Sequence, residues 1–525
     1  MAPFVLGVRR MWFSWRQNPM NAGRGHPRGI VGTAECSDGR IHGAAAAGGV
    51  IKANRSRRLG MTTASSFAGS RSHAERGLAP ISWQQNRRIP PACAAILDAL
   101  KFTTVAPRSL PDFSKAEWQQ ALRFCDESRL TLLAGETCGH HLPAWVEERI
   151  HRNLLSNIAR MEGLKREYVR IANSLDAAPV EHVVLKGFAH GPEFGLDMRY
   201  RPQYDLDLWC REPQVDAARG ALAQIGFESV TAQQRFPTGH LPPMIRKTGW
   251  DWKGDYFDPE MPPVVELHFA LWDERIERLA APGLDDFWER SGREQRSGMT
   301  VPVMRLPDQF AFAALHAVRH LLRGDLRALH VYEIAHFLHA QRDDGEFWAQ
   351  WKQLHAPELR RLQSLACGLA RKWFACSLPD AVAAEIHALP RDLHAWFENY
   401  AASPVESKFS SSKDELWLHL ALLPSFRERA AVIRRRMIPL NLPGRVESEF
   451  VPAAQRTMPR RLAGAIRYAA FCATRAVHHL RSWGAFLSGG MHWWRLCRAA
   501  RNSTAAKPDS TDAIAGDAGS TNRLG

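Results

Sequence analysis

The sequence lacks three features that would place it in a specialised class. It has no run of about 18 uncharged apolar residues, so a membrane-spanning helix is not expected. Its nine cysteines include no Cys-x-x-Cys pair, which argues against a disulfide scaffold or a cysteine zinc site and favours a reducing, cytoplasmic location. No repeat of 20–50 residues is visible. The chain has 525 residues, of which 45% are hydrophobic, and is expected to form two or three globular domains.

Acidic residues are scarce at both ends of the chain. Residues 1–90 carry 14 basic and 3 acidic residues, and residues 431–525 carry 15 and 5. Residues 91–430 carry 40 and 46, so the middle is mildly acidic and a nucleic-acid groove across it is not expected. The Arg- and Gly-rich first 90 residues are predicted to be disordered. They are either an organelle presequence or the product of a start codon assigned too early, with translation beginning at Met61.

Hydrophobic periodicity divides the rest of the chain into four parts. Residues 91–180 show apolar steps of three and four and are predicted to form a helical lead-in. Residues 181–345 contain three apolar strands and form the predicted core of an α+β fold with a mixed sheet. Residues 346–458 are predicted to be helical, and residues 459–525 to form a basic Arg/Trp-rich helix with a disordered tail.

Two aspartates occupy alternate positions of a predicted strand. In a strand, residues i and i+2 point to the same face, so Asp205 and Asp207 would place two carboxylates side by side. Like charges at that separation need a cation between them. Glu266 lies on a later apolar strand and can supply a third carboxylate. Mg²⁺ prefers one or two carboxylates together with substrate phosphates, so the pattern predicts metal-dependent phosphoryl or nucleotidyl transfer.

Three motifs in order carry a family resemblance. They are Leu185-Lys186-Gly187, the segment from Arg201 to Leu208 (Arg-Pro-Gln-Tyr-Asp-Leu-Asp-Leu), and Glu266-Leu267-His268. This arrangement resembles the bacterial "uncharacterised nucleotidyltransferase" family of the DNA polymerase β-like superfamily, over roughly residues 110–350. The resemblance implies transfer of a nucleoside monophosphate from an NTP to a hydroxyl of an unknown acceptor, which could be a small molecule, a sugar or a protein.

The resemblance also implies roles for the motif residues. Asp205, Asp207 and Glu266 would be the catalytic, metal-binding carboxylates for Mg²⁺ or Mn²⁺. Lys186 and Arg201 would counter phosphate charge, and Gly187 would let the backbone approach the phosphates with help from the N-terminus of a following helix.

The sequence departs from the family pattern in three places, one of which is Trp209-Cys210 in place of the more common aliphatic pair. Phe188 follows Gly187 where a second small residue usually helps to hold the triphosphate. Glu333 stands where family members often carry an aspartate. An alternative interpretation is therefore a catalytically degraded nucleotide- or protein-binding module of the same fold.

Two further patterns have both a functional and a purely structural interpretation. His316 and His320 have the i, i+4 spacing of a zinc motif but no glutamate between them, so a polar helix face or a site-lining role is favoured. The arginines and tryptophans of residues 459–501 form either a basic helix that lies on an anionic membrane or a solvated helix that packs its tryptophans on the core. The packed helix is favoured.

Overall fold

The computed structural model describes residues 78–103, 110, 112–195, 197–230, 239–296, 298–438, 450–452 and 457–502. The segment of residues 1–90 that is predicted to be disordered lies outside these ranges up to residue 77, and so does the predicted C-terminal tail. Residues 78–90 are described, and they include a 3₁₀ turn, Trp83–Gln85, whose Trp83 side chain is buried. Within them, seven strands form one mixed sheet, surrounded by many helices, and the predicted α+β class is confirmed. None of the described helices combines the length and apolar character that crossing a membrane requires.

The sheet runs in the order β3-β4-β5-β2-β1-β7-β6. Its central strand β2 pairs in parallel with β5 and antiparallel with β1, while β1 pairs in parallel with β7. The strands are β1 (Val183–Val184), β2 (Asp205–Trp209), β3 (Glu228–Ser229), β4 (Met244–Ile245), β5 (Val264–His268), β6 (Gly292–Arg296) and β7 (Met299–Val303).

Helices precede the sheet, lie between its strands at two places in the chain and then account for most of the chain after it, as predicted for the C-terminal part. Before and within the sheet they are α1 (Pro91–Ala99), α2 (Lys115–Ser128), α3 (Thr131–Cys138), α4 (Ala144–Ala177), α5 (Val215–Gln224), α6 (Glu274–Glu277) and α7 (Asp286–Glu289). After it they are α8 (Leu306–Arg323), α9 (Ala328–Ala340), α10 (Gly345–Leu354), α11 (Pro357–Phe374), α12 (Asp380–His387), α13 (Arg391–Tyr400), α14 (Ser403–Glu406), α15 (Glu415–Leu422), α16 (Phe426–Met437) and α17 (Met458–Asn502).

One face of the central strands is apolar and packs on helices. Leu206 and Leu208 of β2 point to that face and join one buried cluster with the apolar stripe of α4, which includes Leu164 and Ile171. Because side chains alternate along a strand, Asp205 and Asp207 must point to the opposite face. The packing of the leucines therefore fixes the direction of both carboxylates.

The helix α17 packs one stripe of its surface on the rest of the protein. Trp483 and Phe486 of α17 are buried, and the Phe486 ring stacks on Trp417 of α15 with centroids 4.0 Å apart. The packed interpretation of this helix therefore holds for these two side chains. Its outward surface, in contrast, carries large exposed apolar residues that include Leu480 and Trp494.

Two local features differ from what the sequence analysis expected. The chain from residue 272 to 305 contains the antiparallel hairpin β6–β7, which was not predicted because Pro302 and the charged, half-exposed residues of β6 are untypical of a strand interior. The helix expected after Gly187 is only a pair of 3₁₀ turns, Gly187–Ala189 and Pro192–Phe194. Such short turns supply little of the dipole expected to attract a phosphate.

Candidate functional site

Four polar side chains share one face of the two central strands. Asp207 pairs in register with Glu266, and Trp209 pairs with His268, so residues at alternate positions on both strands point to the same side. Asp205, Asp207, Glu266 and His268 are all buried, with exposed fractions of 8%, 1%, 4% and 2%. Three carboxylates are thus concentrated where isolated negative charge would be costly.

The Lys186 ammonium lies between the two aspartates. Its Nζ is 2.8 Å from Asp207 Oδ2 and 3.3 Å from Asp205 Oδ2. Lys186 reaches this place because it follows β1, which pairs antiparallel with β2; the Leu185 amide still donates a 3.1 Å hydrogen bond to the Asp207 carbonyl. The cation that two neighbouring carboxylates require is therefore provided by the protein itself.

His268 completes a compact group of possible metal ligands. Its Nε2 lies 3.1 Å from Asp207 Oδ1 and 3.6 Å from Glu266 Oε2. One ligand atom from each of these three residues lies within 4.8 Å of the others. His240, whose pKa burial lowers to about 4, packs its ring 5.1 Å from that of His268. The group can hold a metal ion through two carboxylates and an imidazole.

Gly187 is close to this group, but the position that a Cβ would occupy is taken by the side chain of Gln203. Its φ of +67° favours glycine, and a Cβ at this position would lie 2.2 Å from Gln203 Oε1. Gln203 in turn donates from Nε2 to the carbonyl of Asp205 over 2.8 Å. Gly187 therefore accommodates a side chain that anchors the start of β2, a requirement that the sequence analysis did not identify.

Arg201 forms a buried ion pair with Glu333 of α9. Its Nε donates to Glu333 Oε1 over 2.5 Å, and both side chains are 4% exposed. His190 Nδ1 lies 3.4 Å from the same oxygen. Burial opposes ionisation of Glu333, but the charges of Arg201 and His190 outweigh it and hold its pKa at about 2. Glu333 is therefore ionised at neutral pH, and its negative charge holds Arg201 in place.

A small cavity lies between Lys186, which contacts the two aspartates, and the Arg201–Glu333 ion pair. Lys186 and Arg201 both line it, together with Glu333, His316 and His330. The six predicted site residues thus gather around one region. Asp205, Asp207, Glu266 and Lys186, which with His268 we call the carboxylate group, lie together, and Gly187 and Arg201 lie next to them. Gln203 and His330 were missed, because nothing in their local sequence shows which distant side chains they contact.

The comparison with known proteins adds a family to this geometry. Residues 114–375 match the model of a family described as "uncharacterised nucleotidyltransferase". The chain belongs to this family. No curated protein and no solved structure matches it.

The match to the uncharacterised nucleotidyltransferase family covers every motif on which the resemblance was based. It contains β1, β2, β5, α8 and α9, and therefore all the residues of the carboxylate group and of the adjoining ion pair. The resemblance to this family is confirmed. The departure at Phe188 concerns a side chain that lies outside the described part of the structure.

Proposed function

We propose that this member of the nucleotidyltransferase family transfers a nucleoside monophosphate from an NTP to an acceptor hydroxyl. The observation that carries the proposal is the convergence of Asp205, Asp207 and Glu266 on one face of β2 and β5, with the Lys186 ammonium against the two aspartates. Three buried carboxylates at one place destabilise a protein unless positive charge compensates them. Binding of a divalent cation relieves their mutual repulsion, so the same arrangement favours binding of the cation.

The donor atoms fit the metal that the family implies. One ammonium already contacts an oxygen of Asp205 and an oxygen of Asp207, so a divalent cation in that place would meet two carboxylate ligands. Carboxylate oxygens are the ligands that Mg²⁺ and Mn²⁺ prefer. When bound there, either ion would neutralise charge on the triphosphate and on the departing pyrophosphate.

The protein's own residues have separate tasks in the proposed reaction. The acceptor oxygen forms a bond to the α-phosphorus, the bond from that phosphorus to the bridging oxygen breaks, and pyrophosphate leaves with the electron pair. Glu266 would orient the acceptor hydroxyl and accept its proton. Lys186, on a flexible four-carbon chain, would move from the aspartates to the triphosphate when a divalent cation replaces it. Arg201, held by Glu333, would present its remaining N–H groups to the phosphates.

The experiment is a label-transfer assay with the full chain. The protein would be incubated with each labelled NTP, Mg²⁺ or Mn²⁺ and a cell extract, and the double variant Asp205→Asn/Asp207→Asn would be compared with the exposed control Asp216→Asn. We expect transfer by the wild type and the control but not by the double variant. Equal transfer by all three proteins would disprove the mechanism.

A second candidate is a binding module without catalysis. Lys186 already contacts two aspartates and Arg201 already contacts Glu333, so both cations assigned to the triphosphate have anionic partners in the protein. This observation favours a fold that binds nucleotide or protein but has lost transfer. NTP binding that depends on Asp207, with no pyrophosphate release, would support this alternative, whereas catalytic turnover would exclude it.

A peripheral contact with an anionic membrane is a further candidate for α17. Residues 458–502 contain eight arginines and no acidic residue, and the outward surface of the helix exposes Leu480, Leu487 and Trp494. Such a surface suits anionic lipid headgroups. Sedimentation with vesicles of anionic or neutral lipid tests this, using a variant with Arg467, Arg481, Arg495 and Arg498 replaced by Gln. Unchanged binding by that variant would exclude the contact.

A further inference from the structure

We propose that His316, His320 and His330 form a binding site for one transition-metal ion of the Zn²⁺ class, distinct from the carboxylate group. His316 and His320 lie one turn apart on α8, and His330 comes from the first turn of α9. All three side chains are buried, with exposed fractions of 6%, 5% and 7%. One ligand atom from each lies within 4.8 Å of the other two.

The spacing of the imidazoles suits tetrahedral coordination. The Nε2 atoms of His316 and His320 are 3.2 Å apart. Zinc–nitrogen bonds of about 2.0–2.1 Å at tetrahedral angles place neighbouring ligand nitrogens about 3.3 Å apart. The pair therefore already has the separation that a shared metal ion would impose.

Asp325 prepares His320 for this role. Its Oδ1 lies 3.0 Å from His320 Nδ1, so the ionised carboxylate favours the tautomer that carries the proton on Nδ1. The lone pair of Nε2 then points away from Asp325, on the side where His316 lies. Carboxylates that hold the second nitrogen of a ligating histidine are a regular feature of zinc sites.

His330 distinguishes a metal site from a simple pair of hydrogen-bonded histidines. A hydrogen bond between His316 and His320 would explain their short distance, but it would not explain why the buried His330 ring packs against both of them. The His330 ring packs with centroids 4.6 Å from His316 and 5.3 Å from His320, and its Nδ1 has no hydrogen-bond partner among the described residues. Burial lowers its pKa far below the usual range, which keeps the ring in the neutral form that binds metals.

Three protein ligands leave the fourth position of a tetrahedral ion open. His316 and His330 line the same small cavity as Lys186 and Arg201. The open position would therefore lie beside two cationic side chains. Water or an anionic oxygen, such as that of a phosphate or carboxylate, is the ligand class that such a position accepts. The binding of this metal does not depend on the proposed nucleotidyl transfer.

Cobalt binding tests the site directly, because tetrahedral Co²⁺ absorbs visible light and activity is not needed. Full-length protein freed of metal with a chelator would be titrated with Co²⁺ in excess Mg²⁺, then with Zn²⁺. We expect one Co²⁺ per chain, displaced by Zn²⁺. Because Asp207, Glu266 and His268 could also hold Co²⁺, the double variant Asp205→Asn/Asp207→Asn is included, and its Co²⁺ spectrum is expected to be unchanged.

The His330→Gln variant, checked for folding by circular dichroism, should lose the tetrahedral spectrum. His339→Gln on the same helix is the matched control and should keep it. Asp325→Asn leaves the three ligands in place and is expected to weaken Co²⁺ binding by about 10–100-fold. Absence of stoichiometric Co²⁺ binding by the wild type, or equal binding by the wild type, His330→Gln and Asp325→Asn, would overturn the proposal.

Discussion

Replacing Lys186 with methionine should make the stability of this protein depend strongly on divalent cations. The change removes the ammonium that contacts both Asp205 and Asp207 while keeping a side chain of similar length. At an effective dielectric constant of about 20, a unit charge at the observed 2.8 Å attracts Asp207 by about 6 kcal/mol before desolvation is counted. Breaking a buried ion pair typically costs about 3–5 kcal/mol, so the free energy of unfolding should fall by about that amount without metal.

Urea denaturation with and without Mg²⁺ measures both parts of this prediction. Mg²⁺ should stabilise Lys186→Met more than the wild type, because the ion restores the missing positive charge and no longer competes with an ammonium. Lys253→Met is the matched control, since Lys253 is 65% exposed and its ion pairs are 3.8–3.9 Å long; it should change stability by at most about 0.5 kcal/mol. If Lys186→Met matches the wild type in stability and gains nothing extra from Mg²⁺, the reasoning is refuted.

Three further predictions concern the ion pair and the glycine beside this group. Glu333→Gln should lower the free energy of unfolding by about 3–5 kcal/mol, since Arg201 stays buried without its anion, while the exposed control Glu289→Gln should not; thermal denaturation measures both. Because folding lowers the pKa of Glu333 from 4.5 to about 2, its stabilising contribution should be complete above pH 4.5 and disappear as pH falls from 4.5 towards 2. A stability difference between wild type and Glu333→Gln that stays constant over this range would contradict that assignment. Gly187→Ala should destabilise by about 1–3 kcal/mol through its positive φ and contact with Gln203, and Gln203→Ala should recover part of the loss in a double-mutant cycle.

The carboxylate group could be predicted from sequence because it depends on strand periodicity. Asp205 and Asp207 share a face in any strand, and Glu266 lies in an apolar run whose length suits a neighbouring strand. The alternation Asp-Leu-Asp-Leu also fixes which face is buried against α4. These relations are local, so they needed no knowledge of the tertiary structure.

The partners of the cationic residues could not be predicted, because they depend on how distant elements meet. The register of β1 against β2 places Lys186 on the aspartates, and the packing of α9 brings Glu333 to Arg201. In the same way, the turn between α8 and α9 decides that His330 joins His316. Neither spacing nor composition contains these distances.

The measurement that tests the central claim most directly follows two positions of the same nucleotide. An NTP labelled on the α-phosphate and one labelled on the γ-phosphate would be supplied in parallel to the wild type and to Asp205→Asn/Asp207→Asn. The account predicts that the wild type transfers the α-label to an acceptor and releases the γ-label as pyrophosphate, and that the double variant does neither. Transfer of the γ-label to the acceptor, or unchanged transfer by the double variant, would contradict nucleotidyl transfer at this site.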